Sequence, residues 1–325
     1  MTLPLRLGID LGGTKIELLA LGQDNQVLWR KRVATPQGDY QATVGTMAAL
    51  VEEAEQALHQ HGTVGIGIPG SESRGSGLIK NANSTCLIGK PLRRDLEVLL
   101  QREVRLANDA NCFALSEASD GAAAGVAVVF GVILGTGVGG GIVVHGRVLD
   151  GVNGIAGEWG HNPLQGLCLV GGSDGLHPGL FPDGVGSLRE EVFLCEEEPL
   201  CYCGRRGCVE TYLSGPGLAA DHHRMTEQAA APEAIIAQAE AGDALAEATL
   251  VRYERRLARA LATVINILDP DVVVLGGGLS NLERLYRNVP RYWGTYIFSD
   301  TVNTRLLRHC HGDASGARGA AWLWS

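Results

Sequence analysis

A chain of 325 residues with 45% hydrophobic and 19% charged side chains is ordinary globular stock, and it is too long for one core, because single cores stop growing near roughly 250–300 residues. Two packed units are therefore expected, and the supply of apolar side chains excludes general disorder. The net charge of −9 excludes a nucleic-acid partner as the first reading, since such binding draws its affinity from cationic side chains that release counterions.

The first six residues show no basic stretch followed by an apolar run, so no secretion signal is read and the cytoplasm is the expected compartment. Leu5 to Leu21 reads as two apolar strands around Asp10-Leu-Gly-Gly-Thr14. Helical periodicity follows over Tyr40 to His61, Leu92 to Glu103 behind Pro91, and Asn111 to Ala124, with short buried strands at Val64 to Ile68 and Val104 to Ala107 between them. Gly121 to Val144 has no charge and is long enough to span a bilayer. Its glycines crowd into Gly135-Thr-Gly-Val-Gly-Gly-Gly141, which a helix would not tolerate, so strand, turn and strand is the better reading. The stretch 165–199 is rich in Gly, Pro and acidic residues and reads as a surface loop or lid. A long helical pattern covers Leu245 to Leu268, and a third strand runs into glycines at Asp271-Val-Val-Val-Leu-Gly-Gly-Gly278. Three glycine turns after Val/Ile/Leu-rich strands predict an α/β protein whose strand ends converge on a ligand.

Consecutive glycines let backbone N–H groups close around phosphate oxygens, and an adjacent Thr adds a hydroxyl. Asp10 would repel a bare phosphate, which makes sense if magnesium lies between them. Either turn could equally be a plain tight hairpin. Two letter matches to the dinucleotide fingerprint, Gly65-x-Gly67-x-x-Gly70 and Gly135-x-Gly137-x-x-Gly140, fail because neither opens a helix. The Asp of Asn108-Asp109 ends a strand ahead of a helix. It can be a simple N-cap, or a carboxylate placed to accept a proton from an attacking hydroxyl, and the two roles are compatible.

Three of the eight cysteines sit in Cys201-Tyr-Cys-Gly-Arg-Arg-Gly-Cys208, and without an export signal metal binding is preferred to disulfides. Cys201 and Cys203 share a side of an extended segment, and Gly204 and Gly207 allow the turn that returns Cys208. A closed tetrahedral zinc site needs a fourth ligand. With no open position such a zinc would be structural, pinning the segment of Glu158 to that of Glu210.

These motifs together resemble the ROK family, whose sugar kinases share the hexokinase/actin ATPase fold: Gly8-Ile-Asp-Leu-Gly-Gly-Thr-Lys15, Leu106-Ala-Asn-Asp-Ala-Asn111, Gly135 to Gly141, Gly157-Glu-Trp-Gly-His161, the run Cys201 to Glu210, and His311 to Ala321. The resemblance implies a two-lobed α/β fold. The small lobe would be 1–118, joined by a C-terminal helix 312–325, and the large lobe 119–311. It also selects His161 as the fourth zinc ligand. It implies that Asp109 takes the proton of a sugar 6-hydroxyl, and that Gly70, Asn83, Asn108, Glu158, His161 and Glu210 contact the sugar, His161 through its second ring nitrogen. Asp10, Gly12, Gly13, Thr14 and Lys15, with Gly135, Thr136 and Gly137, would hold ATP and magnesium, and Gly276, Gly277 and Gly278 would lie near adenosine. Within the family, Lys80-Asn-Ala-Asn-Ser-Thr85 and Glu158-Trp-Gly-His-Asn-Pro-Leu164 are most similar to bacterial fructokinases. Fructose is therefore ranked first, mannose and glucose next, and N-acetylglucosamine third. The loop at 165–199, with Cys168 and Cys195, departs from the family spacing and bears on sugar choice. A sugar-sensing regulator is the rival class; its DNA-binding segment would precede a strand that here begins near Leu5. A homodimer is the assembly the resemblance implies.

Overall fold

The hairpin expected at the first glycine turn is formed by β1 (Leu5–Leu11) and β2 (Lys15–Leu21), with Leu11 opposite Ile16, so that Gly12, Gly13 and Thr14 make the tip. The structure is a computed structural model and describes residues 5–82, 84–164 and 198–324. An edge strand not read from the sequence, β3 (Val27–Ala34), pairs with β2, and its Arg30 and Arg32 both reach the buried Glu17. Its mostly exposed side chains gave no apolar signal.

Helix α1 (Tyr40–Leu58) starts where the Asp39 carboxylate accepts from the Ala42 amide at 3.0 Å and stops at His59 in the left-handed conformation. The chain then returns as β4 (Gly62–Ile68), parallel to β1, and makes the small hairpin of β5 (Ser71–Glu72) and β6 (Ile79–Lys80). Helix α2 (Leu92–Leu100) is shorter than its periodicity suggested, because Gln101 adopts φ 52° and turns the chain into β7 (Val104–Asn108). Helix α3 (Asp109–Ser119) begins two residues earlier than expected. Asn108, not Asp109, is its cap, accepting from the Ala110 amide at 2.9 Å.

The second half repeats the plan. A hairpin of β8 (Val128–Leu134) and β9 (Val138–Val144) is extended by β10 (Arg147–Val148), and β11 (Val272–Gly276) and β12 (Arg305–Arg308) add parallel strands on the other side of β8. The strand orders are β3-β2-β1-β4-β7 and β10-β9-β8-β11-β12, so each sheet is a three-stranded antiparallel meander continued by two parallel strands. The uncharged stretch weighed as a bilayer span is this hairpin, and no helix among the described residues is long and apolar enough to cross a membrane. The outer face of the second sheet is covered by α4 (Glu210–Leu213), α5 (Gly215–Thr226), α6 (Pro232–Glu240), α7 (Ala244–Leu268) and α8 (Glu283–Trp293).

Between the sheets lie α3 and α9 (Ser315–Trp322). Phe113, Ala114, Leu115 and Ala118 of α3 pack on Val129, Val143, Val272 and Val274 of the second sheet, while Ala317 and Ala321 of α9 pack on Leu19 and Leu21 of the first. Backbone meets backbone here. A Cβ at Gly8 would stand 1.9 Å from the Ala317 carbonyl oxygen, one at Gly65 1.9 Å from that of Ala320, and one at Gly319 1.7 Å from that of Cys112. Gly65, the first glycine of the fingerprint-like run, is thus required by helix docking and not by a dinucleotide.

Candidate active site

The tips of both hairpins and the end of β7 are strand termini. The first tip is held from both sides by one residue that the sequence did not single out. Thr35 donates from its hydroxyl to the Gly12 carbonyl at 2.8 Å and from its amide to the Thr14 carbonyl at 3.0 Å, leaving Gly13 and Thr14 exposed. A threonine after an edge strand carries no pattern that would mark it. A cavity of about 200 Å³ opens beside this tip, lined in part by Leu11, Gly13, Thr35 and Ser84. Lys15 reaches Asp313 at 3.7 Å across exposed surface.

The second tip is held by the segment that follows Cys208. Gly215 donates to the Gly135 carbonyl at 2.8 Å, and the Val138 amide donates to Oε2 of Glu210 at 3.0 Å. Thr136 points into solvent. Gly276 ends β11, and Gly277 follows at φ 82°, where a Cβ would meet the Leu134 carbonyl oxygen at 2.5 Å.

Asp109 is the first residue of α3, and its own carboxylate also accepts from the Ala110 amide at 2.8 Å. Burial pushes its carboxyl up to about 6, with the negative charge of Glu158 adding to the effect and the Ala110 amide opposing it. Asp10 is likewise pushed up to about 6, first by burial and then by Asp109 and Glu17. Asp109 thus acts on Asp10, and Glu158 on Asp109, a repulsion that a cation held between carboxylate and polyphosphate would relieve. The first turn of α9 closes the back of Asp10, since a Cβ on Gly316 would stand 2.8 Å from its carboxylate. The Asn108 side-chain amide donates to the Gly70 carbonyl at 3.1 Å, which joins two of the expected sugar residues. Gly70 itself has φ 131° and no room for a side chain against Lys80 and Ala82. Asn83, Cys168, Cys195 and the expected lid, apart from Glu198 and Pro199, lie outside the described residues. Were Asp109, pushed up to about 6, to accept the hydroxyl proton, kcat/KM should fall below about pH 6, by up to about tenfold per unit, as it takes up a proton and can no longer accept one. A profile flat down to pH 5 would remove Asp109 from that role.

Glu158 precedes the turn Trp159–His161, which is fixed to β9 by the Trp159 indole donating to the Gly139 carbonyl at 3.0 Å and to β8 by the edge-on contact of that ring with Phe130. The same segment is tied to the cysteine run by the Leu164 amide on the Gly207 carbonyl at 2.7 Å and the Val209 amide on the Asn162 carbonyl at 2.9 Å. Nδ1 of His161 and the sulfurs of Cys201, Cys203 and Cys208 consequently converge, with all four ligand atoms within 4.8 Å of one another. The Cys203 and Cys208 sulfurs are 3.7 Å apart, and Cys201 Sγ is 3.7 Å from His161 Nδ1. A tetrahedron with bonds of about 2.3 Å to sulfur and about 2.0 Å to nitrogen has edges of roughly 3.5–3.8 Å. The two 3.7 Å pairs match such edges, and one His with three Cys is the donor set of a closed zinc site. Nε2 of His161, the nitrogen expected to meet sugar, faces the Tyr202 hydroxyl at 3.0 Å. Tyr202, 77% exposed, escaped the sequence reading because it is simply the residue between two cysteines.

The model of the ROK family matches residues 6–325. An N-acetyl-D-glucosamine kinase of Salmonella typhimurium is 42% identical over 97% of this chain and 98% of its own. Among solved structures, a ROK hexokinase from Thermus thermophilus superposes with a TM-score of 0.80 at 30% identity, covering 98% of this chain and 97% of that one. A ROK family glucokinase from Streptomyces griseus, in complex with glucose and AMPPNP, gives 0.72 at 26% identity, covering 98% of each chain.

Proposed function

The chain belongs to the ROK family, and on that premise we propose that it transfers the γ-phosphoryl group of ATP to the 6-hydroxyl of N-acetyl-D-glucosamine. The observation that carries the reading is Asp109, a half-buried carboxylate at the end of β7, pushed up to about 6 and under the negative charge of Glu158. Its carboxylate accepts the proton of the sugar hydroxyl, the freed oxygen forms a bond to the γ-phosphorus, and the bond from that phosphorus to the β–γ bridging oxygen breaks as ADP leaves. Such a transfer asks mainly for positioning and charge stabilisation, so a modestly perturbed base suffices. The exposed tips at Gly12–Thr14 and Gly135–Gly137, with Lys15, supply amides and a cation for the phosphates, and Gly276–Gly278 would adjoin adenosine. Magnesium bound with the triphosphate would offset its charge beside Asp10. Asn108, Gly70, Glu158, His161 and Glu210, with Asn83, are assigned to the sugar.

His161, Cys201, Cys203 and Cys208 would hold a structural zinc, which supplies a rigid link between the segments of Glu158 and Glu210 and no reacting group. We read the two sheets as the small lobe, 1–118 with 312–325, and the large lobe, 119–311, closing over the sugar to exclude water. The family's dimer is the assembly we assign.

The sugar named here differs from the fructose ranked first on sequence segments. Relatives aligned end to end at 42% identity carry the name N-acetyl-D-glucosamine kinase, and that weighs more than two short motifs. Fructose stays as the second reading, favoured by Lys80 to Thr85 and Glu158 to Leu164. Coupled ADP release across N-acetylglucosamine, glucose, mannose and fructose decides between them. The expected kcat/KM is highest for N-acetylglucosamine, by about tenfold or more over fructose, the scale on which small substituents are discriminated. A higher value for fructose would reverse the assignment, and no ADP release with any sugar would end the kinase reading.

A further inference from the structure

Glu210 is assigned above to the sugar, but its carboxylate is already engaged on the nucleotide side of the cleft. Oε2 accepts from the Val138 amide at 3.0 Å, the first amide beyond the Gly135–Gly137 tip. The other end of that tip is held by the same short segment, through the Gly215 amide on the Gly135 carbonyl at 2.8 Å, while the tip closes on itself by the Gly135 amide on the Gly137 carbonyl at 3.0 Å. Gly137 has a reason of its own to be glycine: a Cβ there would stand 2.7 Å from Glu210 Oε2. The carboxylate can reach Val138 because residue 137 has no side chain, so this glycine serves the carboxylate as well as any phosphate.

We propose that Glu210 is a positioning residue for the nucleotide, setting the shape of the second phosphate tip through its hydrogen bond to Val138, in addition to any contact with sugar. The inference rests on the kinase reading above. A charge-assisted bond to a backbone amide is stronger than a neutral one, and it fixes the peptide on which the direction of the preceding amides depends. Oε2 on the tip, together with the sugar role proposed for Glu210, would make a single side chain common to both ligands. Sugar that draws on this carboxylate therefore alters the tip, and by linkage the nucleotide alters sugar affinity by the same factor.

The test is binding of AMPPNP with magnesium to the intact protein in the absence of sugar, by calorimetry. Glu210→Ala is expected to weaken binding by about tenfold or more, the scale of a lost hydrogen bond to a charged group. Glu210→Gln keeps an acceptor oxygen for Val138 and is expected to stay within about threefold of the unchanged protein. Equal affinity in all three confines Glu210 to the sugar and overturns the proposal. Equal loss in both variants assigns the effect to charge alone and overturns it as well. If Glu210→Ala fails to fold, Glu210→Asp, too short to reach the Val138 amide from the same backbone position, is held to the same criterion. Absence of AMPPNP binding to the unchanged protein is a different outcome, which removes the ATP site itself and this proposal with it.

Discussion

Asp109→Asn is expected to lower kcat by about 10²–10⁴-fold, the usual contribution of a positioned general base, while sugar KM changes by no more than a few-fold. The split follows from the geometry. Asn at 109 is nearly the same size, can still accept from the Ala110 amide as Asp109 does at 2.8 Å, and leaves the Asn108 cap and its bond to Gly70 in place. What it cannot do is take a proton from the attacking hydroxyl. It also removes a negative charge that raises Asp10, so Asp10 should ionise more readily in the variant. Steady-state kinetics over both substrates checks the split; a kcat within threefold of the unchanged protein would mean that another group is the base.

If His161, Cys201, Cys203 and Cys208 hold an ion, its loss should act on stability and sugar affinity together. Cys208 is buried, bridges to Pro163 and lies two residues before Glu210, so a metal on its sulfur would join the segments of Glu158 and Glu210 proposed to meet the sugar. Metal binding to such clusters is worth about 10–16 kcal/mol in isolated zinc-finger peptides. Here backbone bonds at Leu164 and Val209 already join the segments, so only part of that is at stake. A loss of about 3 kcal/mol would lower the thermal midpoint by roughly 6–12 °C. Cys208→Ala and prolonged dialysis against a chelator should therefore both lower the midpoint and weaken sugar binding by about tenfold. Metal analysis of the purified protein supplies the stoichiometry, and unchanged midpoint and affinity would show that the four side chains hold no ion.

How much of this was legible in the sequence depends on the range of the interaction. Both hairpins were readable because apolar strands broken by glycine are a local signal, and β3 was not, because an edge strand with one pair of arginines on a buried glutamate shows no alternation of apolar residues. Asp109 was readable as a strand-end carboxylate, although the capping role belongs to Asn108. The three cysteines announced themselves by spacing. His161 did not: one of nine histidines, it was chosen by family resemblance, and the structure brings it to the sulfurs through backbone pairing some forty residues away in sequence. Thr35 and the Glu210–Val138 bond were invisible, because both are tertiary contacts between residues that have ordinary local roles. The same applies to Gly65, where a motif-like spacing has a packing cause.

That packing has a bearing on how the protein comes into being. The back of the first sheet is finished by α9 and the residues after it: the Trp324 indole donates to the Val64 carbonyl at 2.7 Å, and Arg105 donates to the Leu323 carbonyl at 2.6 Å while lying over the Trp324 ring. Val64 and Trp324 are 260 positions apart. At translation speeds of about 5–20 residues per second, the sheet's earliest strands wait tens of seconds for the helix that fits their glycine groove. During that interval the positions of Gly8 and Gly65, where β1 and β4 later meet the backbone of α9, stay uncovered on the nascent chain.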